Sequence, residues 1–319
     1  MNIVVLDRSS LGEDTPLESL NRYGNVTVYE RTSREELLER ASDAEVLVLN
    51  KVKIDKEVLD ASPKLKLICI TATGYDNVDI IEARSHGVAV TNVPGYSTDS
   101  VTLLTVATVL SLITHLREYN EYVTDGSYTR SGIANKLSPV YHELRGMKWG
   151  IVGYGNIGKA VARVAEAFGA EVLVNKRTPV ADARCVTLEE LCKESDIITL
   201  HCPLNENTRE LIGVNELALM KPSAILVNEA RGAVVDSVSV ANAIKRGELG
   251  AFGADVYEVE PFGKDHPFTE IMHLPNVLLT PHAAWGAYDS RKRCIETVAA
   301  NIGAFISNKI KNRVDIQGQ

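Results

Sequence analysis

The sequence has few of the features that are typical of proteins that bind nucleic acid or span a membrane. Its 319 residues carry 34 Lys and Arg against 42 Asp and Glu, which gives a formal net charge of −8 and no basic stripe for a polyanion. The longest apolar runs, such as Leu65–Ile70 and Ala224–Val227, are much shorter than the roughly 20 residues that span a bilayer. We therefore expect neither a nucleic-acid partner nor a membrane association.

Cysteine is scarce, and the N-terminus has no secretion signal. The five cysteines are widely spaced and include no CxxC pair, which argues against a disulfide framework and a structural zinc site. We expect no metal site. The chain opens directly on the strand-like segment Asn2–Leu6, without a basic region followed by an apolar stretch. Both absences favour a cytoplasmic protein with reduced thiols.

The length suggests about two domains, and the apolar pattern predicts their architecture. Short runs of Val, Ile and Leu alternate with amphipathic segments, as is typical of a parallel sheet covered by helices on both faces. The sequence predicts eleven strands: Ile3–Leu6, Val26–Tyr29, Val46–Leu49, Leu65–Ile70, Val88–Thr91, Trp149–Val152, Glu171–Val174, Ile197–Leu200, Ala224–Val227, Gly250–Asp255 and Val277–Leu279. The fold class is therefore α/β, with two doubly wound parallel sheets.

The strands fall into two series, at about residues 1–95 and 146–282. An apolar helix, Asp99–Leu116, and a polar excursion, Tyr119–Gly146, are expected between them. The last helical pattern, Asp289–Ile306, would pack back on the first series. We therefore place one domain at residues 1–98 plus 287–319 and the other at 99–286.

Two helix starts have capping-box sequences. Ser33 and Thr187 are each followed three residues later by Glu, so that hydroxyl and carboxylate can each accept a bond from a free backbone N–H.

A glycine-rich turn follows the sixth predicted strand and opens a helix that runs to about Phe168. Its spacing, GxGxxG, in this strand–turn–helix setting is typical of a dinucleotide-binding unit. The glycines allow a tight turn, a close approach of the pyrophosphate and close packing of helix on strand, while the helix N-terminus attracts the phosphates. The predicted cofactor turn comprises Gly153, Tyr154, Gly155, Asn156, Ile157 and Gly158.

A triphosphate-binding loop is the main rival for this turn. Gly153 to Lys159 satisfies the first seven positions of GxxxxGK[ST], but the eighth is Ala160, which has no hydroxyl for magnesium. The dinucleotide interpretation is therefore the better one.

The strand after the turn indicates which dinucleotide binds. In NAD-binding units it usually ends in an acidic residue that contacts the ribose, whereas here it ends in Asn175, Lys176 and Arg177. Two cations would attract a 2′-phosphate, and Arg can grip its oxygens with two parallel bonds. We expect a preference for NADP, although NAD could still bind through other contacts beside a solvated basic pair.

Reactive side chains cluster after the last three strands. Arg231 follows the strand ending at Val227, Glu258 and Glu260 follow the strand beginning at Gly250, and His282 follows the strand at Val277. Ligands of open α/β sheets bind beyond the carboxyl ends of the strands, so these loops can face one site.

With these segments together, the whole chain resembles the D-isomer-specific 2-hydroxyacid dehydrogenases, and most of all their glycerate dehydrogenase (hydroxypyruvate reductase) branch. The likeness is carried by residues 72–79 (ATGYDNVD), 92–97 (NVPGYS), 200–204 (LHCPL) and 282–285 (HAAW). The resemblance implies a Rossmann-type cofactor domain and a flavodoxin-like substrate domain with a cleft between them.

The resemblance implies a role for three catalytic side chains. Arg231 would bind the substrate carboxylate and polarise the carbonyl. His282 would donate the proton in reduction and accept it in oxidation. Glu260 would hydrogen-bond the imidazole and orient it, although Glu258, two residues away, is an alternative partner.

The remaining implied contacts divide between cofactor and substrate. On the cofactor side they are Asn156 and Ile157 at the pyrophosphate, Cys202, Pro203 and Thr208 along the adenosine, Ala230 and Asp255 at the nicotinamide, and Thr105 facing the cofactor. On the substrate side they are Thr73, Gly74 and Trp285, with Arg231 and His282.

The sequence departs from the family pattern at three positions. Leu103 and Leu104 stand where the family commonly has a polar or acidic residue and then His, which puts any substrate or interface role of those side chains in doubt. Glu229 stands next to Ala230, where a small residue is more usual.

We therefore expect an NAD(P)-dependent oxidoreductase acting on a small 2-keto acid or D-2-hydroxy acid, either hydroxypyruvate/D-glycerate or glyoxylate/glycolate. A D-lactate-type or branched 2-keto acid reductase is one alternative. A scaffold that senses NAD(H) without catalysis, as in corepressor relatives, is another. By resemblance, the protein is expected to be a homodimer.

Overall fold

The computed structural model describes residues 1–316 and contains eleven strands, every one of which was predicted. Their bounds differ from the predicted ones by two residues or fewer. The strands are β1 Asn2–Val5, β2 Asn25–Val28, β3 Val46–Leu49, β4 Leu67–Ile70, β5 Ala89–Thr91, β6 Lys148–Val152, β7 Glu171–Asn175, β8 Ile197–Leu200, β9 Ile225–Asn228, β10 Ala251–Ala254 and β11 Val277–Leu279.

Helices connect the strands and cover the sheets. They are α1 Arg34–Ser42, α2 Lys56–Asp60, α3 Ile80–Ser85, α4 Thr98–Ile113, α5 Leu116–Thr124, α6 Ser127–Ser131, α7 Asn156–Ala167, α8 Leu188–Glu194, α9 Val214–Leu219, α10 Ser237–Arg246 and α11 Tyr288–Ile306. Both capping boxes are confirmed: Ser33 and Thr187 accept a bond from the backbone of the third residue of α1 and α8, and the glutamates there accept one in return.

The predicted helix Asp99–Leu116 is wrong at its C-terminal end. Helix α4 stops at Ile113, and His115 takes a left-handed conformation with φ of 51°, from which α5 starts in a new direction. Helices α5 and α6, the first of which begins before the predicted polar excursion, were not predicted from the sequence. No single helix within residues 1–316 is long and apolar enough to span a membrane, while α4 and α5 pass that test only as a pair bent by 65°.

The chain forms two compact units. The first consists of Met1–Ser97 together with the described residues from Trp285 onward, and the second of Thr98–Ala284. In the first unit all strand pairs are parallel, in the order β2-β1-β3-β4-β5. This is the flavodoxin-like order of a doubly wound sheet.

The second sheet is also parallel, in the order β7-β6-β8-β9-β10-β11. A further parallel bridge joins Val174 of β7 to Cys185. With that segment counted as the third strand, the order becomes 3-2-1-4-5-6 with one more strand at the far edge, which is the Rossmann arrangement. The predicted fold class, α/β with two parallel sheets, is confirmed.

Burial explains why the strands read as continuous apolar runs. On β9, Leu226 packs in one core with residues of α8, α9 and α10, while Ile225 and Val227 pack in the other with α4 and α7. Successive side chains of a strand point to opposite faces, so both sets must be apolar. In the first unit, α11 closes one face of the sheet in the same manner.

Candidate active site

The predicted catalytic residues follow three adjacent strands of the second sheet. β9, β10 and β11 are neighbours and parallel, so their carboxyl ends lie at one edge. Arg231 follows β9, Glu260 follows β10 and His282 follows β11. The topology therefore places the three loops side by side, at the edge where open α/β sheets bind ligands.

The structure brings two of the three into direct contact. His282 Nδ1 lies 2.5 Å from Glu260 Oε2, and the other carboxylate oxygen accepts a bond from the Tyr257 N–H at 3.1 Å. Both side chains are about one-quarter exposed, 26% for the imidazole and 28% for the carboxylate. The histidine is therefore oriented by a carboxylate that the backbone itself holds in place.

The backbone at His282 is in a strained conformation. Its φ is 52°, in the left-handed region that non-glycine residues rarely occupy, and its N–H donates to the Thr280 carbonyl at 3.1 Å. Strain of this kind costs about 1–3 kcal/mol and persists where the surrounding structure enforces it, often at functional sites. The turn therefore fixes the orientation of the imidazole, and its strain lowers the stability of the fold.

Glu258, the alternative partner of His282, is engaged elsewhere. Its two oxygens contact the Ser237 hydroxyl at 2.5 Å and His266 Nε2 at 3.0 Å. These hydrogen bonds hold the pKa of the Glu258 carboxyl below its usual value against the opposing effect of its burial. Glu260, and not Glu258, is therefore the carboxylate beside His282.

Hydrogen bonds and close packing hold the loop of Arg231, although its side chain is exposed. The Asn228 side-chain amide donates to the Arg231 carbonyl at 2.9 Å, and its oxygen accepts from the Ala230 N–H at 3.1 Å. A Cβ at Gly232 would overlap the Tyr257 backbone at 1.9 Å, so this loop packs directly on the loop that carries Glu260. The guanidinium donates to the Ala230 carbonyl at 2.8 Å.

Asp255 organises the turn that carries His282. Its carboxylate accepts bonds from the Thr280 hydroxyl at 2.6 Å and from the N–H groups of Ala283 and Ala284, both at 2.8 Å. The Tyr257 hydroxyl donates to the Thr280 carbonyl at 2.8 Å. These roles of Thr280 and Tyr257 were not predicted from the sequence, although a threonine between β11 and the histidine is a usable signal for such an anchor.

The glycine-rich turn between β6 and α7 has the geometry of a phosphate cradle. Gly153 has φ of +91°, and a Cβ there would lie 2.7 Å from the backbone of His201 and Cys202. A Cβ at Gly158 would lie 2.1 Å from the Gly153 carbonyl oxygen. The turn therefore requires glycine at both positions.

The middle of this turn is open to a ligand. A Cβ at Gly155 would meet nothing within 4 Å, and no side chain caps the N-terminus of α7. Gly155 and Asn156 are exposed, while Tyr154 and Ile157 are half-buried. Unfilled space and an uncapped helix end fit a pyrophosphate bound by backbone N–H groups. The residues present therefore fit a dinucleotide cofactor.

Two basic residues, Lys176 and Arg177, directly follow β7, and no acidic residue adjoins them in the sequence. Asn175 is tied down, because its side chain donates to the Val186 carbonyl at 3.1 Å and its carbonyl accepts from the Gly153 N–H at 2.9 Å. Lys176 is half-buried and Arg177 is exposed. Both cations follow directly on the strand that borders the glycine-rich turn.

Hydrogen bonds of the Thr208 side chain stabilise the loop after β8. The Thr208 hydroxyl donates to the Pro203 carbonyl at 2.6 Å and accepts from the Asn205 N–H at 2.8 Å. Cys202 is buried, and burial raises the pKa of its thiol to about 11. This side chain therefore stays a neutral thiol at physiological pH.

Of the three positions on α4 singled out from the sequence, Thr105 is buried, Leu104 is half-buried and Leu103 faces outward. Thr105 is fully buried, and its hydroxyl donates to the Val101 carbonyl at 2.7 Å. Leu103, where the family pattern is polar, is 69% exposed.

The predicted substrate residues of the first unit lie on two segments. Thr73 is exposed and Gly74 is half-buried, in the loop after β4, where the threonine hydroxyl donates to the Val93 carbonyl at 3.0 Å. Trp285 lies edge-on to Tyr96 with ring centroids 6.3 Å apart. Within residues 1–316, no group of three or more His, Cys, Asp or Glu side chains could hold a metal ion.

Comparison with known proteins gives a consistent family. The model for the D-isomer specific 2-hydroxyacid dehydrogenase NAD-binding domain matches residues 106–284. A glyoxylate reductase of Thermococcus litoralis is 41% identical over 282 residues, covering 86% of this chain and 84% of that protein. A hydroxypyruvate reductase of Blautia hydrogenotrophica is 33% identical, covering 99% and 100%. A glycerate dehydrogenase of Methylorubrum extorquens is 36% identical, covering 98% of each.

Solved structures match over the same length. A D-lactate dehydrogenase of Aquifex aeolicus, complexed with NAD and lactic acid, has a TM-score of 0.86 at 29% identity and covers all of both chains. An acyclic imino acid reductase in complex with NADPH and D-Arg has the same TM-score and identity, covering 98% of this chain and 100% of the other. The cofactor bound to these two neighbours is in each case a nicotinamide dinucleotide.

Proposed function

We propose a substrate and a set of residue roles for this chain from the premise that it belongs to the D-isomer specific 2-hydroxyacid dehydrogenase family. The chain is an oxidoreductase of 2-hydroxy acids that uses a nicotinamide cofactor. The physiological pair, in our proposal, is glyoxylate/glycolate or hydroxypyruvate/D-glycerate. The names of the relatives support small polar acids, because they include glyoxylate reductases, a hydroxypyruvate reductase and a glycerate dehydrogenase.

The observation that carries the catalytic proposal is the contact between His282 and Glu260. Reduction of a 2-keto acid requires a proton for the carbonyl oxygen, and a histidine whose other nitrogen is held by a carboxylate can supply it from Nε2. Arg231, on the loop packed against the Glu260 loop, would bind the substrate carboxylate with its guanidinium fork. In oxidation the imidazole would take the proton back.

The cofactor, when bound, supplies or accepts the hydride at C2 of the substrate. The turn at residues 153–158 would hold its pyrophosphate and Cys202, Pro203 and Thr208 would border the adenosine. Ala230 and Asp255 would border the nicotinamide, and Thr105 would face the cofactor. The first-unit residues Thr73, Gly74 and Trp285 are assigned to the substrate by resemblance.

We further propose that NADP is preferred over NAD. Lys176 and Arg177 follow Asn175, at the place where NAD-binding units usually carry an acid. Asn175 is fixed by two hydrogen bonds, so the two cations project from a defined position. Their charge favours a 2′-phosphate over a 2′-hydroxyl.

Assembly as a cytoplasmic homodimer completes the proposal. The segment from α5 to β6 exposes large apolar side chains, namely Leu116, Val123, Ile133, Leu137 and Val140, each more than half exposed. Several large apolar side chains exposed along one segment favour an interface there. The free thiols of all five cysteines suit a reducing compartment. Light scattering of wild type and Leu137→Glu measures the dimer.

Steady-state kinetics tests the function. We expect NADPH oxidation with glyoxylate or hydroxypyruvate to exceed that with pyruvate or 2-ketoisocaproate. His282→Ala and Arg231→Ala should each lower kcat/KM by about 10² or more, and Glu260→Gln by less, while cofactor Kd stays within about twofold. His273→Ala, at an exposed histidine, is the matched control.

Two results would contradict this proposal. Loss of cofactor binding in the His282 variant would show that its role is structural. No oxidation of NADH or NADPH by wild type with any short 2-keto acid would favour the non-catalytic scaffold instead.

A further inference from the structure

Buried polar atoms without a partner concentrate at one edge of the second sheet. Within residues 1–316, six buried side-chain oxygen or nitrogen atoms lack a hydrogen bond, and four of them belong to His201 and Glu229. Buried polar groups are nearly always paired, so each exception needs an explanation. Two adjacent exceptions indicate that this edge is built to receive a polar group from outside the chain.

Strand register places these side chains together. Leu200 pairs with Asn228, and Asn228 with Ala254, so the next residues along the three strands, His201, Glu229 and Asp255, stand side by side at the carboxyl edge. Asp255 donates its N–H to the Asn228 carbonyl at 3.2 Å, which continues the ladder to this point.

The face on which Glu229 lies is also defined. Side chains alternate along β9, and Glu229 has the parity of Ile225 and Val227, which pack with α4 and α7. The N-terminus of α7 is the glycine-rich turn. Glu229 is only 7% exposed and precedes Ala230, the residue assigned to the nicotinamide. The carboxyl group is therefore buried at the same edge, and on the same face, as the cofactor turn.

Glu229 and Asp255 have different hydrogen-bonding capacities. Asp255 already accepts three bonds, from the Thr280 hydroxyl and two N–H groups, and as a carboxylate it can only accept. Burial, together with the nearby Asp255 charge, raises the pKa of the Glu229 carboxyl to about 9. Glu229 is thus a neutral acid at pH 7, with one O–H donor and one carbonyl acceptor.

We propose that the carboxyl group of Glu229, in its protonated form, hydrogen-bonds the carboxamide of the bound nicotinamide and fixes the orientation of the ring. A primary carboxamide presents an N–H donor beside a C=O acceptor, which a neutral carboxyl group complements with two antiparallel bonds. Asp255 can accept from the N–H but cannot donate to the C=O. Glu229 is a positioning residue in this scheme, which rests on the proposed cofactor site.

Calorimetric titration of three ligands isolates the carboxamide contact. The first ligand is NADH or NADPH, whichever wild type binds more tightly. The second is the 3-acetylpyridine analogue of that dinucleotide, which has the C=O but no N–H. The third is ADP-ribose, with a 2′-phosphate if the chosen dinucleotide has one, and it has no nicotinamide. Glu229→Gln keeps a donor and an acceptor, whereas Glu229→Leu removes both at similar size. Glu248→Gln, at an exposed glutamate before the opposite end of β10, is the control.

We expect Glu229→Leu to raise the Kd of the dinucleotide about tenfold, as for two lost hydrogen bonds, and to leave ADP-ribose within about twofold. It should also bind the dinucleotide and the acetylpyridine analogue about equally, while wild type prefers the dinucleotide. Glu229→Gln should stay within about threefold of wild type for all three ligands. If Glu229→Leu does not fold, Glu229→Ala provides the same comparison.

Three outcomes separate the possible failures. Equal loss of ADP-ribose and dinucleotide affinity would overturn the proposal in favour of a structural role. Unchanged or tighter dinucleotide binding by Glu229→Leu would overturn it directly. Failure of wild type to bind any of the three ligands would instead overturn the proposed cofactor site.

Discussion

Replacing the buried carboxyl group of Glu229 by an amide should stabilise the cofactor-free protein, and by more as the pH rises. Burial and the neighbouring Asp255 charge raise the Glu229 pKa from 4.5 to about 9. The folded state therefore keeps a proton that the unfolded chain releases above pH 4.5. The stability associated with this proton is fully present below pH 4.5 and is lost progressively as the pH rises toward 9.

The magnitude follows from the shift. Each pH unit between the two pKa values removes about 1.4 kcal/mol of the free energy of unfolding. At pH 7 the deficit from Glu229 is then about 3 kcal/mol, a large part of the 5–15 kcal/mol typical of a folded protein. Glu229→Gln abolishes this titration, since an amide has no proton to lose. A buried unpaired amide adds an offset of its own, but that offset is the same at every pH.

The assay is the thermal midpoint of wild type and Glu229→Gln measured from pH 5 to pH 9 without cofactor. In a unit of this size 1 kcal/mol shifts Tm by about 2–4 °C, so the difference between the two proteins should grow by about 3–5 °C per pH unit. It should level off near pH 9. Glu248→Gln should show no such growth. A difference that stays flat across this range would refute the buried, unpaired state of Glu229.

Three further changes have defined outcomes. Replacing Lys176 and Arg177 by Ala should weaken NADPH binding at least tenfold more than NADH binding, and an unchanged ratio of Kd values would remove the basis for NADP preference. Gly158→Ala should lower the free energy of unfolding by about 2 kcal/mol in urea, since its Cβ meets a carbonyl oxygen at 2.1 Å, whereas Gly155→Ala, in open space, should not. Burial lowers the pKa of His201 to about 3. The stability associated with its uncharged imidazole is therefore present above pH 6.5 and is lost as the pH falls toward 3. Thermal midpoints of His201→Asn should therefore decline less than those of wild type between pH 6.5 and pH 4.5, and parallel declines would contradict this.

Much of the fold could be predicted because burial on both faces leaves a clear record in the sequence. Strands such as Val46–Leu49 and Ile197–Leu200 are entirely apolar, since a helical layer covers each side of the sheet. The capping boxes at Ser33 and Thr187 need only local chemistry. The break at His115 depends on a single left-handed residue inside an apolar pattern, and no local rule marks that position.

The site was predictable only as far as chain order and strand ends allow. The carboxyl ends of parallel strands put Arg231, Glu260 and His282 at one edge, and this required only the strand pattern. The choice between Glu258 and Glu260 could be made only from the structure of the loop. There Ser237, which is distant in sequence and lies on α10, donates a hydrogen bond to Glu258. Sequence patterns carry no signal for such a contact.

Three residues that depart from local rules lie at this same edge of the second sheet. His282 has a strained φ, and the buried polar groups of His201 and Glu229 have no partner. Such features lower stability and are retained where function requires them. Stabilising substitutions that remove the hydrogen-bonding groups of His201, Glu229 or His282 should therefore weaken cofactor binding or turnover, whereas substitutions of equal effect at the amino edge of the sheet should not. A stabilised Glu229→Leu variant with undiminished cofactor affinity would break this link between the unpaired polar group and function.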